Sequence, residues 1–236
     1  QVDIEVSFVE APDVKSIITE ILATSMKSVD IQTEGVNEGV SELISYLYDI
    51  GINGDIDDQA QLYVPEITYN DAMEHFGSDK PDLRFGMELI DVAAIFENSE
   101  FGVFADLTKD SNNRIKAVVA KSADFEGGLS KKNIKDLEKF VMDFGAKGLA
   151  YFQVKNGGNG IFLKGPLTRF LNDKELDNII DVCGLIEGDI VFFGAGDKDT
   201  VYDYMGRLRL ELANRLLEKG LMVKSHWSPV WITDFP

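Results

Sequence analysis

Three side chains that accept hydrogen bonds occupy alternate positions at the start of the sequence: Gln1, Asp3 and Glu5. Apolar residues fill the positions between them, so residues 1–9 are predicted to form a β-strand with one polar and one apolar face. Because successive side chains of a strand point to opposite faces, the three acceptors share one face. Such a row either holds a cationic group of a ligand or meets water, so a ligand-facing site and a solvated strand edge both remain open.

A second group of charged side chains lies in a short loop, residues 78–84. The members that could contact a ligand are Ser78, Asp79, Lys80, Asp82 and Arg84. Pro81 restricts the backbone in the middle of this loop, and loops carry binding residues more often than cores do. We therefore interpret it as a candidate active-site loop. A surface turn held by local contacts between Asp79 and Lys80 is the alternative.

Other reactive patterns are absent from the sequence or incomplete. His75 and His226 lie far apart and neither belongs to a metal-ligand spacing, so no metal site is predicted. The glycine-containing stretch 192–199 lacks the Gly-Lys-Ser/Thr ending of a phosphate loop and is predicted to be a strand-to-helix turn. Cys183, the only cysteine, lies in an apolar stretch and is expected to be a buried structural thiol.

Acidic residues are concentrated in the first part of the chain. The 236 residues carry 41 acidic and 23 basic side chains, a net charge of −18. Residues 1–99 hold 21 acidic and 4 basic side chains, whereas residues 100–236 hold 20 and 19. A uniformly acidic chain would repel nucleic acid and anionic membranes. Because the second part is close to neutral, the total charge does not exclude a function that depends on nucleic acid.

The hydrophobic pattern predicts an α+β protein. Helices are expected from a period near 3.6 residues over 12–27, 37–50, 70–76, 131–144, 173–183 and 198–218. Further strands are expected over 101–105, 114–120, 149–155, 160–164, 189–193 and 230–236. Between about residues 96 and 206 this order is typical of an antiparallel sheet with helices on one face. On the last helix, Arg207 and Arg209 are expected to be exposed surface arginines.

The two ends of the sequence and its lack of long apolar runs indicate where the protein is located and whether it is part of a longer chain. No apolar run approaches the ~20 residues of a membrane span, and no signal peptide precedes the first strand. We therefore expect a cytoplasmic protein without a membrane segment. Because the sequence begins and ends within predicted strands, we interpret it as part of a longer protein.

Six stretches of the sequence occur in the same order in bacterial-type aspartyl-tRNA synthetases, which the chain resembles over nearly its whole length. They are QVDIEVSF (1–8), TYNDAM (68–73), GSDKPDLRF (77–85), GAKGLAY (145–151), GDIVFFGA (188–195) and WITDFP (231–236). The resemblance implies three regions. Residues 1–95 would be a segment of a class II catalytic domain with an acidic linker, 96–206 an inserted GAD-type α+β domain, and 207–236 a helix and strand that return to the antiparallel catalytic sheet.

The resemblance also implies a function. The parent enzyme would activate L-aspartate with ATP and Mg²⁺ and transfer it to tRNA(Asp), acting as a homodimer. Gln1, Asp3 and Glu5 would line the pocket for aspartyl-adenylate, and the 78–84 loop would lie near it. The family's motif 2 arginine and motif 3 fall outside residues 1–236, so these residues alone are expected to bind no cofactor and to be inactive. The alternative is a GAD-domain binding module of a tRNA-dependent amidotransferase subunit.

Overall fold

The computed structural model describes residues 10–30, 64–123, 128–158, 160–223 and 228–236, with side chains of the first helix described as far as residue 23. The chain divides into two compact units, one made of residues 1–67 and 225–231 and the other of residues 68–224 and 232–236. The predicted strand over 1–9 and helix over 37–50 lie outside the described residues. The predicted boundaries at 95/96 and 206/207 stay a prediction.

The described ranges contain seven α-helices and seven strands. The helices are α1 (Ala11–Asp30), α2 (Tyr69–Phe76), α3 (Ala93–Phe96), α4 (Gly102–Leu107), α5 (Lys131–Met142), α6 (Asp173–Val182) and α7 (Lys198–Glu218). The strands are β1 (Glu66–Thr68), β2 (Ile90–Asp91), β3 (Asn113–Ala120), β4 (Ala150–Asn156), β5 (Ile161–Lys164), β6 (Ile190–Asp197) and β7 (Trp231–Thr233). None of the helices described is both long and apolar enough to cross a membrane.

The larger unit is built on a five-stranded antiparallel sheet. Its strand order is β2-β3-β6-β4-β5, and every neighbouring pair runs antiparallel. In the centre of the sheet, Val118 of β3 lies opposite Phe192 of β6, which in turn lies opposite Tyr151 of β4. The predicted antiparallel α+β fold is confirmed.

Helices cover both faces of this sheet, whereas the sequence interpretation placed them on one. Along β3, Val118 and Ala120 join a core with α5 and α7. Ile115, Ala117 and Val119 point the other way, into a second core with α3, α4 and α6. The sequence contains the reason, because β3 includes the apolar run Ala117–Ala120, and a continuous apolar run is typical of a strand covered on both faces.

The strand predicted over 101–105 is wrong, since this stretch forms helix α4. In a strand, Phe101 and Val103 would share a face. In the helix, Phe101, Phe104 and Ala105 share one, with Phe104 and Ala105 buried and Val103 65% exposed. The Phe104 ring packs edge-on against Phe101 and Phe96, at 4.9 Å between centroids in each case. Packing on the sheet therefore overrides the local preference of this aromatic run for extended structure.

Side-chain caps position the helices that flank the sheet. Ser130 forms a capping box with Asn133 at the start of α5, and Asn172 does so with Glu175 at the start of α6. Strand β6 leads directly into α7, whose first turn is capped by the carboxylate of Asp197. The stretch 192–199 is thus a strand-to-helix junction, as predicted.

In the smaller unit, the described residues are α1 and the chain around residues 64–67 and 228–231. Lys15 of α1 forms an ion pair with Glu66, with 2.6 Å between Nζ and Oε2. The backbone N–H of Trp231 donates to the carbonyl oxygen of Pro65 at 2.8 Å. Strand β1 pairs with β7 in a separate two-stranded sheet.

Candidate functional site

The candidate site is the charged loop, residues 78–86, which follows α2 in the larger unit. Helix α2 begins at Thr68, whose hydroxyl oxygen accepts the N–H of Asp71, and ends at Gly77 with φ of 65°. A Cβ atom on Gly77 would come within 2.9 Å of the Cα of Gly206 and closer still to the carbonyl oxygen of Tyr202. Only glycine allows both this left-handed backbone and this contact with α7.

The far end of the charged loop is fixed by burial. Leu83 and Phe85 are both 6% exposed. The N–H of Leu89 donates to the carbonyl oxygen of His75 at 2.7 Å, so the chain returns to the end of the helix it left. The loop is therefore closed at its base, and its tip carries the exposed charges.

Arg209 of α7 holds the backbone of this loop. Its guanidinium donates hydrogen bonds to the carbonyl oxygens of Asp82 (2.8 Å), Phe85 (3.2 Å), Gly86 (3.0 Å) and Met87 (2.9 Å). The central guanidinium carbon lies 4.4 Å from the ring centroid of Phe85 and 5.0 Å from that of Phe76. Arg209 is only 1% exposed, so the prediction that it is a surface arginine is wrong. Arg207 is half-exposed and pairs with Asp203, as expected of a surface residue.

The tip of the loop is held by two local contacts. The Ser78 hydroxyl oxygen accepts the N–H of Lys80 at 3.0 Å. The Asp82 carboxylate accepts the backbone N–H of Arg84 and both Nε and Nη2 of its guanidinium, the last two at 2.8 Å. These hydrogen bonds raise the pKa of Arg84. Asp82 and Arg84, rather than Asp79 and Lys80, thus form the ion pair seen within the described loop.

Glu74 ties the preceding helix to the sheet. Its carboxylate accepts hydrogen bonds from Arg114 Nε at 2.9 Å and Tyr202 OH at 2.5 Å, and pairs with Lys116 Nζ at 2.6 Å. Burial alone would raise the pKa of Glu74, but hydrogen bonds from Arg114, Lys116 and Tyr202 outweigh it and lower the pKa to about 2. Lys116 is nearly buried and also lies 3.2 Å from Asp91. Glu74 is therefore an ionised anchor between α2, β3 and α7.

The structure places the predicted site residues unevenly. Gln1, Asp3 and Glu5 lie outside the described residues. Ser78, Asp79, Lys80, Asp82 and Arg84 lie together on the charged loop.

Sequence reasoning missed the residues that support this loop, namely Glu74, Arg114, Lys116, Tyr202 and Arg209. One signal was available, because Arg209 is four residues from the buried Met205 and three from the buried Leu212, and so shares their helix face.

Two further reactive groups, Cys183 and His75, are not among the residues of the charged loop. Cys183 is 5% exposed, and burial raises its pKa to about 11, which agrees with a structural thiol. His75 pairs with Glu88 at 3.3 Å at a half-exposed position. In the part of the chain that the structure describes, no three His, Cys, Asp or Glu side chains are grouped so that they could hold a metal ion.

Comparison with known proteins identifies the sheet-bearing part of the chain. The model of the GAD domain family matches residues 104–205, from α4 to the first turns of α7. These residues thus resemble a GAD domain. Arg114, Lys116 and Tyr202 lie within the matched range, whereas the charged loop precedes it and Arg209 follows it in sequence.

The chain is also similar to longer proteins over its full length. It is 40% identical over 237 residues to the "Aspartate--tRNA(Asp/Asn) ligase" of Helicobacter pylori (strain G27), covering all of this chain and 35% of that protein. The corresponding Campylobacter hominis protein is 40% identical over 239 residues, again over the full chain and 34% of the relative. The Sulfurovum sp. protein is 43% identical over 171 residues, 72% of this chain. The chain thus spans about a third of the length of these relatives, and the predicted resemblance is confirmed.

Proposed function

We propose that residues 1–236 are a portion of an aspartate–tRNA ligase, whose complete protein activates L-aspartate with ATP and transfers it to tRNA. The observation that carries this proposal is the 40% identity to aspartate–tRNA(Asp/Asn) ligases over all of this chain. A shared GAD domain alone would account for similarity over residues 104–205 only. The alternative of a GAD-domain module in an amidotransferase subunit is therefore not favoured.

The charged loop is proposed to lie at the pocket for aspartyl-adenylate, together with Gln1, Asp3 and Glu5. Carboxylate and amide oxygens accept hydrogen bonds from the ammonium group of aspartate, while Lys80 and Arg84 provide positive charge for its carboxylate. The structural support is that Lys80 and Arg84 are exposed at the tip of the loop, while Arg209 holds its backbone through hydrogen bonds.

ATP and Mg²⁺ are assigned to the complete protein. The chemistry of ATP activation is attributed to regions outside residues 1–236, where the family's motif 2 arginine and motif 3 are expected. The complete protein is further proposed to be a cytoplasmic homodimer.

The names of the relatives support two tRNA substrates. Each is an aspartate–tRNA(Asp/Asn) ligase, so we propose that the complete protein charges both tRNA(Asp) and tRNA(Asn) with aspartate. Purified complete protein is expected to show aspartate-dependent ATP–pyrophosphate exchange in the presence of Mg²⁺. It is then expected to attach labelled aspartate to transcripts of both tRNAs. Exchange without transfer to tRNA(Asn) would restrict the proposal to tRNA(Asp).

The isolated polypeptide 1–236 serves as a control for this assay. It spans 35% of the length of the Helicobacter pylori relative, and it is expected to show no exchange above a no-enzyme blank. Exchange by this polypeptide alone would contradict the assignment of ATP activation to other regions.

A further inference from the structure

The backbone of the charged loop curls around one side chain. The carbonyl oxygens of residues 82, 85, 86 and 87 all converge on the guanidinium of Arg209. Four carbonyl dipoles that point at one buried centre repel each other unless a cation or several donors occupy it. Arg209 supplies both the positive charge and the N–H groups, so the shape of this segment depends on it.

A lysine would not reproduce this arrangement. Arginine presents a planar set of donors and stacks on aromatic rings, whereas lysine offers a compact ammonium group. In this structure the guanidinium lies against Phe85 and Phe76 as well as bonding to the four carbonyls. The site therefore uses the shape of arginine in addition to its charge.

One residue joins this support to the charges at the loop tip. The carbonyl oxygen of Asp82 accepts from Arg209, while its carboxylate accepts from Arg84. A displacement of the Asp82 backbone would therefore move the ion pair as well. The tip is thus oriented from α7, although it makes its own contacts locally.

We propose that Arg209 is a positioning residue, which fixes the charged loop from α7 so that the loop side chains meet the amino-acid substrate. The GAD domain completes the support, because its Arg114, Lys116 and Tyr202 hold α2 through Glu74. This inference rests on the proposed ligase function. It adds that the GAD domain and α7 govern substrate binding by holding the loop, without themselves contacting aspartate.

The rate of trypsin cleavage measures how often the charged loop opens. The bond between Arg84 and Phe85 is a cleavage site for trypsin, whereas the bond after Lys80 is protected because Pro81 follows it. Phe85 is buried, so cleavage after Arg84 requires the loop to open. In the complete protein, Arg209→Met is expected to increase the rate of this cleavage by about tenfold or more, since cleavage follows the population of the open form. Arg207→Met removes an exposed arginine two residues away and is the matched control.

Steady-state kinetics of ATP–pyrophosphate exchange measure the consequence for binding. Arg209→Met is expected to raise the KM for aspartate by about tenfold or more, because a displaced loop no longer presents a preorganised site. The KM for ATP is expected to change less, and Arg209→Lys is expected to be intermediate for aspartate. A purely structural role would lower the active fraction, and so kcat, without changing the KM for aspartate.

The outcomes separate this inference from the proposed function. Faster cleavage after Arg84 together with an unchanged KM for aspartate in Arg209→Met would overturn the positioning role alone. No exchange by the unsubstituted complete protein would overturn the ligase function and, with it, the link to substrate. If Arg209→Met does not fold, Phe85→Leu replaces it, because leucine keeps the site apolar while removing the ring on which Arg209 stacks. Phe85→Leu is expected to raise both the cleavage rate and the KM, and unchanged values for both would refute the positioning role.

Discussion

Two buried charged side chains, Asp189 and Arg209, each form hydrogen bonds with several backbone groups, but in different regions of the chain. Asp189 is fully buried and accepts the N–H groups of Ser122 and Ile186, as well as Lys121 Nζ at 2.9 Å. All of these residues lie within the range 104–205 that matches the GAD domain family. Arg209 instead donates to carbonyl groups of the charged loop, which lies outside residues 104–205. The Asp189 carboxylate connects segments within residues 104–205, whereas the Arg209 guanidinium attaches the charged loop to α7, beyond the end of this range.

The two buried charges are expected to affect different regions when they are removed. Loss of Asp189 should destabilise the sheet domain as a whole, because its partners connect the end of β3 with the turn before β6. Loss of Arg209 should release the loop while the sheet remains intact. Four measurements of stability test how strongly each of these contacts holds its region.

Substitution at Asp189 is expected to have the largest effect. Asp189→Ala leaves two N–H groups and the Lys121 ammonium without their acceptor, so the free energy of unfolding should fall by about 4 kcal/mol. Urea denaturation measures this change. Asp181→Ala makes the same substitution at an exposed position and should change the free energy by less than about 0.5 kcal/mol. Equal effects of the two variants would remove Asp189 from the comparison.

Acid should weaken the attachment of α2 through Glu74. The pKa of Glu74 is about 2 in the folded protein, below its ordinary value of 4.5. The ionised Glu74 carboxylate therefore adds about 3 kcal/mol to the free energy of unfolding above about pH 4.5. This stabilisation is lost as the pH falls towards 2.

The measurement is urea denaturation of the unsubstituted protein and of Glu74→Gln between pH 6 and pH 3. The difference in unfolding free energy between them should shrink as the pH falls. Glu97→Gln, at an exposed position, is the control for general effects of acid. A constant difference across this range would show that Glu74 is not held in its ionised form by folding.

The contact between α2 and α7 should tolerate no side chain at Gly206. A Cβ atom there would lie 2.7 Å from the carbonyl oxygen of Gly77 and 2.9 Å from that of Phe76. Although alanine is the better helix former, Gly206→Ala should destabilise the protein by about 2 kcal/mol, because both close atoms are backbone. The midpoint of thermal unfolding reports this change. Gly102→Ala meets nothing within 4 Å and should have no destabilising effect, so equal losses would contradict the packing explanation.

The smallest effect is expected at Arg207. It is half-exposed, pairs with Asp203 one turn earlier, and lies 4.3 Å from the ring centroid of Phe144. Exposed pairs of this type contribute little, so Arg207→Met should change the free energy of unfolding by about 0.5 kcal/mol or less. Urea denaturation of Arg207→Met beside Arg209→Met tests whether burial separates these two arginines. A larger loss in Arg207→Met than in Arg209→Met would reverse the comparison.

The hydrophobic periodicity of the sequence predicted well those helices that bury only one face. The helix predicted over 198–218 is observed at Lys198–Glu218, and those over 131–144 and 173–183 end only one or two residues earlier. Helix α4 was missed because its apolar run is short and aromatic, so its pattern could not separate a helix from a strand. The second layer of helices was missed although the apolar run Ala117–Ala120 in β3 is typical of a strand covered on both faces.

The candidate site was predicted in part. The charged loop could be recognised from its residue types and from the resemblance to synthetases, and the structure brings its charges together. Arg209 was assigned to the surface because arginine is usually exposed, and only its spacing from Met205 and Leu212 argued otherwise. Glu74 and Lys116 gave no local signal, because an acid on a helix and a lysine in a strand are ordinary in sequence.

Sequence patterns alone predicted most helices and strands of the larger unit, the uneven charge, the glycine at the end of α2 and the residues at the loop tip. These follow from periodicity and backbone preference, which act over a few residues. Only the tertiary structure decided which charges are buried together. Arg209 and its acceptors are separated by 122 to 127 residues, and Glu74 and Tyr202 by 128. A buried charge must find its partners wherever the fold places them, and no local rule states where that is.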